Sequence, residues 1–86
     1  MIIKKKMWPE YYDAINSGKK KFDFRVADFD VNEGDTLVLE EWDPETKEYT
    51  GRTIEKKITF VGRFDLNAFN QRELIEENGF VIMSLE

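Results

Sequence analysis

Residues Ser17–Val26 read SGKKKFDFRV, three consecutive lysines followed by an aspartate and an arginine set among phenylalanines. From Lys21 to Val26 polar and apolar residues alternate: Phe22, Phe24 and Val26 share one side of an extended chain, and Lys21, Asp23 and Arg25 share the other. A period of two predicts a strand. The Ser17-Gly18 pair just before it marks the end of a helix, glycine being the usual residue past a helix terminus.

Upstream, Trp8-Pro9 suits a helix start, because proline tolerates the first helical position. Tyr11, Tyr12 and Ile15 recur at helical spacing, and Trp8 is placed to pack on Tyr12 as a hydrophobic staple. The prediction is a helix over about Pro9 to Ser17, preceded by a short strand over Ile2–Met7. Downstream, ADFDVNEGD reads as a loop with a turn at Gly34-Asp35, and TLVLEEW (Thr36–Trp42) as a strand. The polar DPETKEYTG is a hairpin connection to a long strand from Arg52 to Arg63. Asn70 and Glu73 form a capping-box pattern for a helix ending near Glu77, and FVIMSL closes the chain as an apolar strand. Five strands in so short a chain predict a single α+β domain over residues 1–86. The expected architecture is a small mixed β-barrel of about five strands with one or two short helices.

Composition narrows the chemistry. The 86 residues contain no cysteine, hence no disulfide, thiolate nucleophile or sulfur-bound metal, and no histidine, hence no Ser-His pair or histidine zinc site. Any catalysis falls to Lys, Arg, Asp, Glu, Tyr, Ser or Thr. The net charge of −5 argues against broad binding to nucleic-acid backbones, yet the charge is uneven. Residues 1–27 carry seven cations against three acids, and the remainder six cations against fifteen acids. A basic face on an acidic body is the expectation. The acidic loops lack the spacing of a calcium-binding helix–loop–helix, so no metal and no cofactor are expected. MIIKKKMW has no sustained apolar run after its basic residues, and no stretch is long enough to cross a bilayer, so a cytoplasmic, membrane-free protein is expected, monomeric by default.

Gly18-Lys19-Lys20-Lys21-Phe22-Asp23-Phe24-Arg25 resembles the G-x-K-x-x-E-x-R motif of the ASCH family, a branch of the PUA-like β-barrels, with aspartate in place of glutamate. NEGDTLVLEEWD resembles the turn and strand common to those barrels. LEEWDPETKEYTGR is similar, more narrowly, to a subfamily of small bacterial and phage proteins of unknown function. The resemblance runs from the first strand to about Phe60 and resumes in the closing strand; residues 62–78 match no pattern. It implies a PUA-like barrel with a cleft beside the first helix, suited to RNA or a modified nucleoside. Some ASCH relatives are amidohydrolases of acetylated cytidine, and others are linked to RNA cleavage. In the amidohydrolases the motif lysine works with a threonine and a glutamate from a later segment. Here Asp23 stands at the threonine's place, and Glu73, Glu76 and Glu77 lie in a later segment without a motif to single one out.

The candidate ligand-binding residues are Lys20, Asp23, Arg25, Trp8 and Lys6. Arg25 offers a planar donor fork to phosphate or a base edge, and Asp23 an acceptor for an exocyclic amine. The bland alternative is a surface ion pair worth about 0–1 kcal/mol. Lys20 serves phosphate neutralisation or, as a catalytic pair with Asp23, proton transfer; otherwise it is a solvated lysine. Lys4, Lys5 and Lys6 either extend the basic area or protect an edge strand from aggregation. Trp8 is the aromatic placed to stack on an unpaired base, unless it is half-buried in the core. The favoured reading is a module that binds RNA or a nucleotide, not an enzyme. The alternatives are a small amidohydrolase or ribonuclease, and a regulatory domain that binds another protein.

Overall fold

The computed structural model describes residues 1–86. The elements run β1 (Ile2–Met7), α1 (Pro9–Asn16), β2 (Thr36–Asp43), β3 (Glu48–Lys57), a 3-10 turn (Ala68–Asn70) and α2 (Arg72–Asn78). The sheet has three strands in the order β1-β2-β3, with β1 parallel and β3 antiparallel to β2. It is an open sheet, not the expected barrel of about five strands.

The first half follows its pattern. Parallel strands need a crossover, and α1 supplies it between β1 and β2. Trp8 is the N-cap of α1 and Pro9 takes its first turn; the Trp8 carbonyl accepts from the Tyr12 amide at 2.9 Å. With Trp8 half exposed at the cap itself, Tyr12 is buried by the sheet instead. The helix ends at Asn16 with Ser17 as its C-cap, and Gly18 just beyond it has a φ of 83°, in the left-handed region that glycine enters at little cost. Tyr12 and Ile15 descend from α1 onto Met7 and Leu39, making the four-residue core, with Leu37 and Ile54 at its margin. Leu39 is 1% exposed.

The expected strand over Lys21–Val26 is absent, as is the closing strand over Phe80–Leu85. Both segments are placed side by side and run in opposite directions. The Lys21 amide donates to the Ser84 hydroxyl at 2.9 Å, and the Phe24 and Phe80 rings meet edge-on at 6.5 Å. A side-chain oxygen thus takes the donor that a ladder would give to a carbonyl, and no ladder forms. The alternation of Lys21–Val26 survives without pairing, because strand formation needs a neighbour's backbone as well as a period of two.

The long second strand of the hairpin is displaced. It runs Glu48–Lys57 instead of Arg52–Arg63, so the connection shrinks to residues 44–47, closed by Lys47 at φ 58° and its amide bond to the Asp43 carbonyl. β2 begins at Thr36, and that residue pairs with Lys57. Beyond Lys57 there is no further β2 to pair with. The Asn70–Glu73 capping box is also absent: Asn70 sits in the 3-10 turn at φ 55°, and Gln71 caps α2 without a side-chain bond.

Candidate functional site

The edge strand β1 and the chain after α1 bring two of the sequence-predicted residues to a third. Arg25 Nε donates to Asp23 Oδ2 at 2.6 Å, and Arg25 Nη2 donates to the Lys6 carbonyl at 3.2 Å. The i, i+2 spacing puts Asp23 and Arg25 on one side of the extended chain, as alternation requires. The guanidinium then docks on an unpaired carbonyl of the free β1 edge. Both side chains are largely covered, at 20% and 24% exposure, so the pair is less screened than a fully exposed one.

Lys6 lies on the sheet face opposite the helix, with its ammonium 4.2 Å from the Trp42 ring centroid. Lys5, on the helix side, stands 3.8 Å over Phe29. Lys20 is apart from the Asp23–Arg25 pair in its contacts. Its amide bonds back to the Ala14 carbonyl at 2.8 Å, and its ammonium lies 5.0 Å from the Tyr11 ring and 5.1 Å from the Phe22 ring. Trp8 is not gathered with the cations. It lines a shallow groove of about 340 Å³ with Pro9, Glu10, Asp43, Pro44 and Glu45, where three carboxylates surround it.

The five ion pairs use arginine or the terminal amine; no lysine is paired with a carboxylate. Lys5, Lys6 and Lys20 lie instead against aromatic faces, which attract a cation without cancelling its charge.

A second cluster escaped the sequence reading. Between the pairs Glu40↔Thr53 and Trp42↔Tyr49 the β2–β3 register slips, so Thr50, Gly51 and Arg52 all stand opposite Glu41. Gly51, at φ 94°, makes this irregularity affordable. The Thr50 hydroxyl donates to Glu41 Oε1 at 2.6 Å, and Arg52 Nη1 reaches Glu41 Oε2 at 3.5 Å. Arg52 Nη2 reaches Asp13 Oδ1 on α1 at 3.3 Å, and the guanidinium carbon lies 4.6 Å from the Tyr12 ring centroid. Glu41 is 4% exposed, a burial tolerable for a carboxylate only with such partners. The signal was present: Glu41 shares parity with Leu37 and Leu39, an acid on an apolar face, and Thr50 and Arg52 lie in YTGR. Nothing in a linear pattern announced the register slip that joins them.

Two faces of α1 thus carry polar chemistry, Lys20 with Tyr11 on one and Arg52 with Asp13 and Glu41 on the other. No cluster of three or more acids is placed to hold a metal ion, and no helix is long and apolar enough to cross a membrane.

With this fold and these clusters in place, sequence comparison assigns the chain to a family. It belongs to the family described as "Domain of unknown function (DUF3850)", whose model matches residues 2–85. It is 41% identical over 56 residues to an Escherichia phage P2 protein described as "Uncharacterized 12.9 kDa protein in GpA 3'region". That alignment takes in 65% of this chain and 50% of the phage protein, so the chain spans about half the length of the curated relative it matches. No solved structure matches the chain.

Proposed function

We propose that the chain is a binding module for RNA or a nucleotide, using two cation–aromatic clusters, Lys20 with Tyr11 and Phe22 beside α1, and Lys6 with Trp42 on the opposite face of the sheet. The observation that carries this reading is the state of the lysines. Lys20 rests between Tyr11 and Phe22, and Lys6 over Trp42, with no carboxylate paired to either. Single-stranded nucleic acid asks for this combination: cations for phosphate beside flat rings on which bases stack. Tyr11 is half exposed, so its ring is within a ligand's reach. Arg25 has a different part, because Asp23 and the Lys6 carbonyl already occupy it; it fixes the segment to β1. The resemblance of Gly18–Arg25 to the ASCH motif supports the same reading.

The test is titration with a short single-stranded RNA, followed by tryptophan fluorescence and by amide shifts of residues 18–26. Binding weakens with salt, and Lys6→Ala and Lys20→Ala each weaken it roughly fivefold and lower the salt slope by about one. Unchanged spectra at millimolar RNA would end the proposal, as would affinity indifferent to both substitutions.

A further inference from the structure

Arg52 is built unlike any other cation in the molecule. Its guanidinium carbon lies over the buried Tyr12 ring, 4.6 Å from the centroid. Two of its nitrogens are held at the edge by Glu41 and Asp13. Glu41 is itself fixed by the 2.6 Å bond from Thr50, and the Arg52 amide donates to the Thr50 hydroxyl at 3.3 Å. The side chain nevertheless remains 50% exposed. The result is a flat, delocalised group held over an aromatic ring and at two of its nitrogens, with surface left to solvent. Two carboxylates offset its charge, which makes it a poor phosphate clamp. A planar guanidinium is, however, a stacking surface for a nucleobase.

We infer that Arg52 is a base-stacking platform and that Asp13, beside it, reads the base. The juxtaposition of the pinned Arg52 plane with the Asp13 carboxylate, whose Oδ2 takes no protein hydrogen bond, defines a subsite for a base with a donor edge. Guanine presents two adjacent N–H donors on its pairing edge, a ring N–H and an exocyclic amine; adenine presents a single amine donor beside a ring acceptor. A carboxylate therefore favours guanine. The inference deepens the nucleotide-binding reading and rests on it for biological meaning. It concerns separate residues, on the other flank of α1 from Lys20.

The experiment uses the full chain with two uncharged nucleosides, guanosine and adenosine, and separately with a uridine oligonucleotide. Guanosine is expected to shift the Arg52 side-chain Nε–H resonance, with an affinity nearly unchanged between low and moderate salt. Adenosine is expected to bind about tenfold more weakly. Asp13→Asn, at a side chain 63% exposed and tolerable to the fold, should remove that preference. Arg52→Lys, which keeps the charge but loses the plane, should weaken both nucleosides. If the uridine oligonucleotide binds and guanosine leaves Arg52 unmoved, the platform is refuted while the lysine surface stands. If guanosine binds at Arg52 and the oligonucleotide does not bind, the platform stands and the lysine surface falls. Equal affinity for both nucleosides, unaltered in Asp13→Asn, would overturn Asp13 as the reader.

Discussion

Residues 1–57 and residues 58–86 are both supplied with large apolar side chains, and they use them in opposite ways. All seven buried residues lie between Met7 and Glu41. In the C-terminal region Phe60, Phe64, Phe69, Val81, Met83 and Leu85 are all at least 65% exposed, and α2 buries none of its residues. Apolar content is not what separates them. In the first region the sheet gives side chains a common face, and α1 lays Tyr12 and Ile15 on it. In the second, no strand ladder exists to align the apolar residues, and a seven-residue helix with no buried residue has its own bonds, the Arg72–Glu76 pair and an Arg72–Asn67 bond. Helices that short are marginal in water. Secondary structure here is the condition of burial as much as its consequence.

The contrast breaks most severely at Leu39. Leu39→Ala should cost about 2–5 kcal/mol by leaving a cavity among Met7, Tyr12 and Ile15, whereas Leu74→Ala, at a residue 55% exposed, should stay within about 0.5 kcal/mol. Urea unfolding of both variants measures the difference. Similar losses would mean that the C-terminal region shares the core.

A smaller effect tests the polar half of the same contrast. Thr50→Val keeps the shape and removes the 2.6 Å bond to the buried Glu41 carboxylate. The expected loss is about 1–2 kcal/mol. Thr59→Val, just past the sheet and exposed, should be nearly neutral by the same measurement. A neutral Thr50→Val would show that water or Arg52 satisfies Glu41 unaided.

The division between the regions also marks how far the sequence could be read. β1, α1 and β2 were legible almost to the residue, because Trp8-Pro9, Ser17-Gly18 and the Leu37–Leu39 run each act locally. The alternating Lys21–Val26 segment and the apolar Phe80–Leu85 run both read as strands and are not strands. Their outcome turns on a long-range event: the Ser84 hydroxyl and the Phe24–Phe80 contact meet them in place of a backbone partner. The site divides likewise. Asp23 and Arg25 were paired by their spacing alone, while the docking of Arg25 on Lys6 and the Glu41–Thr50–Arg52 cluster depend on tertiary placement and on a register slip. Local chemistry was readable, and placement across the chain was not.

Asp35 sits at the seam of the two regions, which makes acid the gentlest probe of the difference. Its carboxylate accepts the Asn32 amide at 2.9 Å and the terminal ammonium of Met1 at 3.1 Å, while its carbonyl accepts the Ile58 amide at 2.9 Å, where the C-terminal region begins. The Asn32 bond foremost, then the hydrogen bond and charge of the Met1 ammonium, hold the carboxyl below its ordinary value, against the opposing pull of partial burial. A lowered folded value means the stabilisation is complete above the unfolded value of about 3.9 and is lost as pH falls through the folded one. Thermal melts between pH 6 and pH 2 should therefore fall more steeply in the wild type than in Asp35→Asn, with the two slopes alike above about pH 5. Amide exchange should show Ile58 losing protection in acid before Leu39 does, because opening the seam need not disturb the core beneath α1. Simultaneous loss at both residues would mean the two regions melt as one body, and the contrast between them would hold for burial but not for stability.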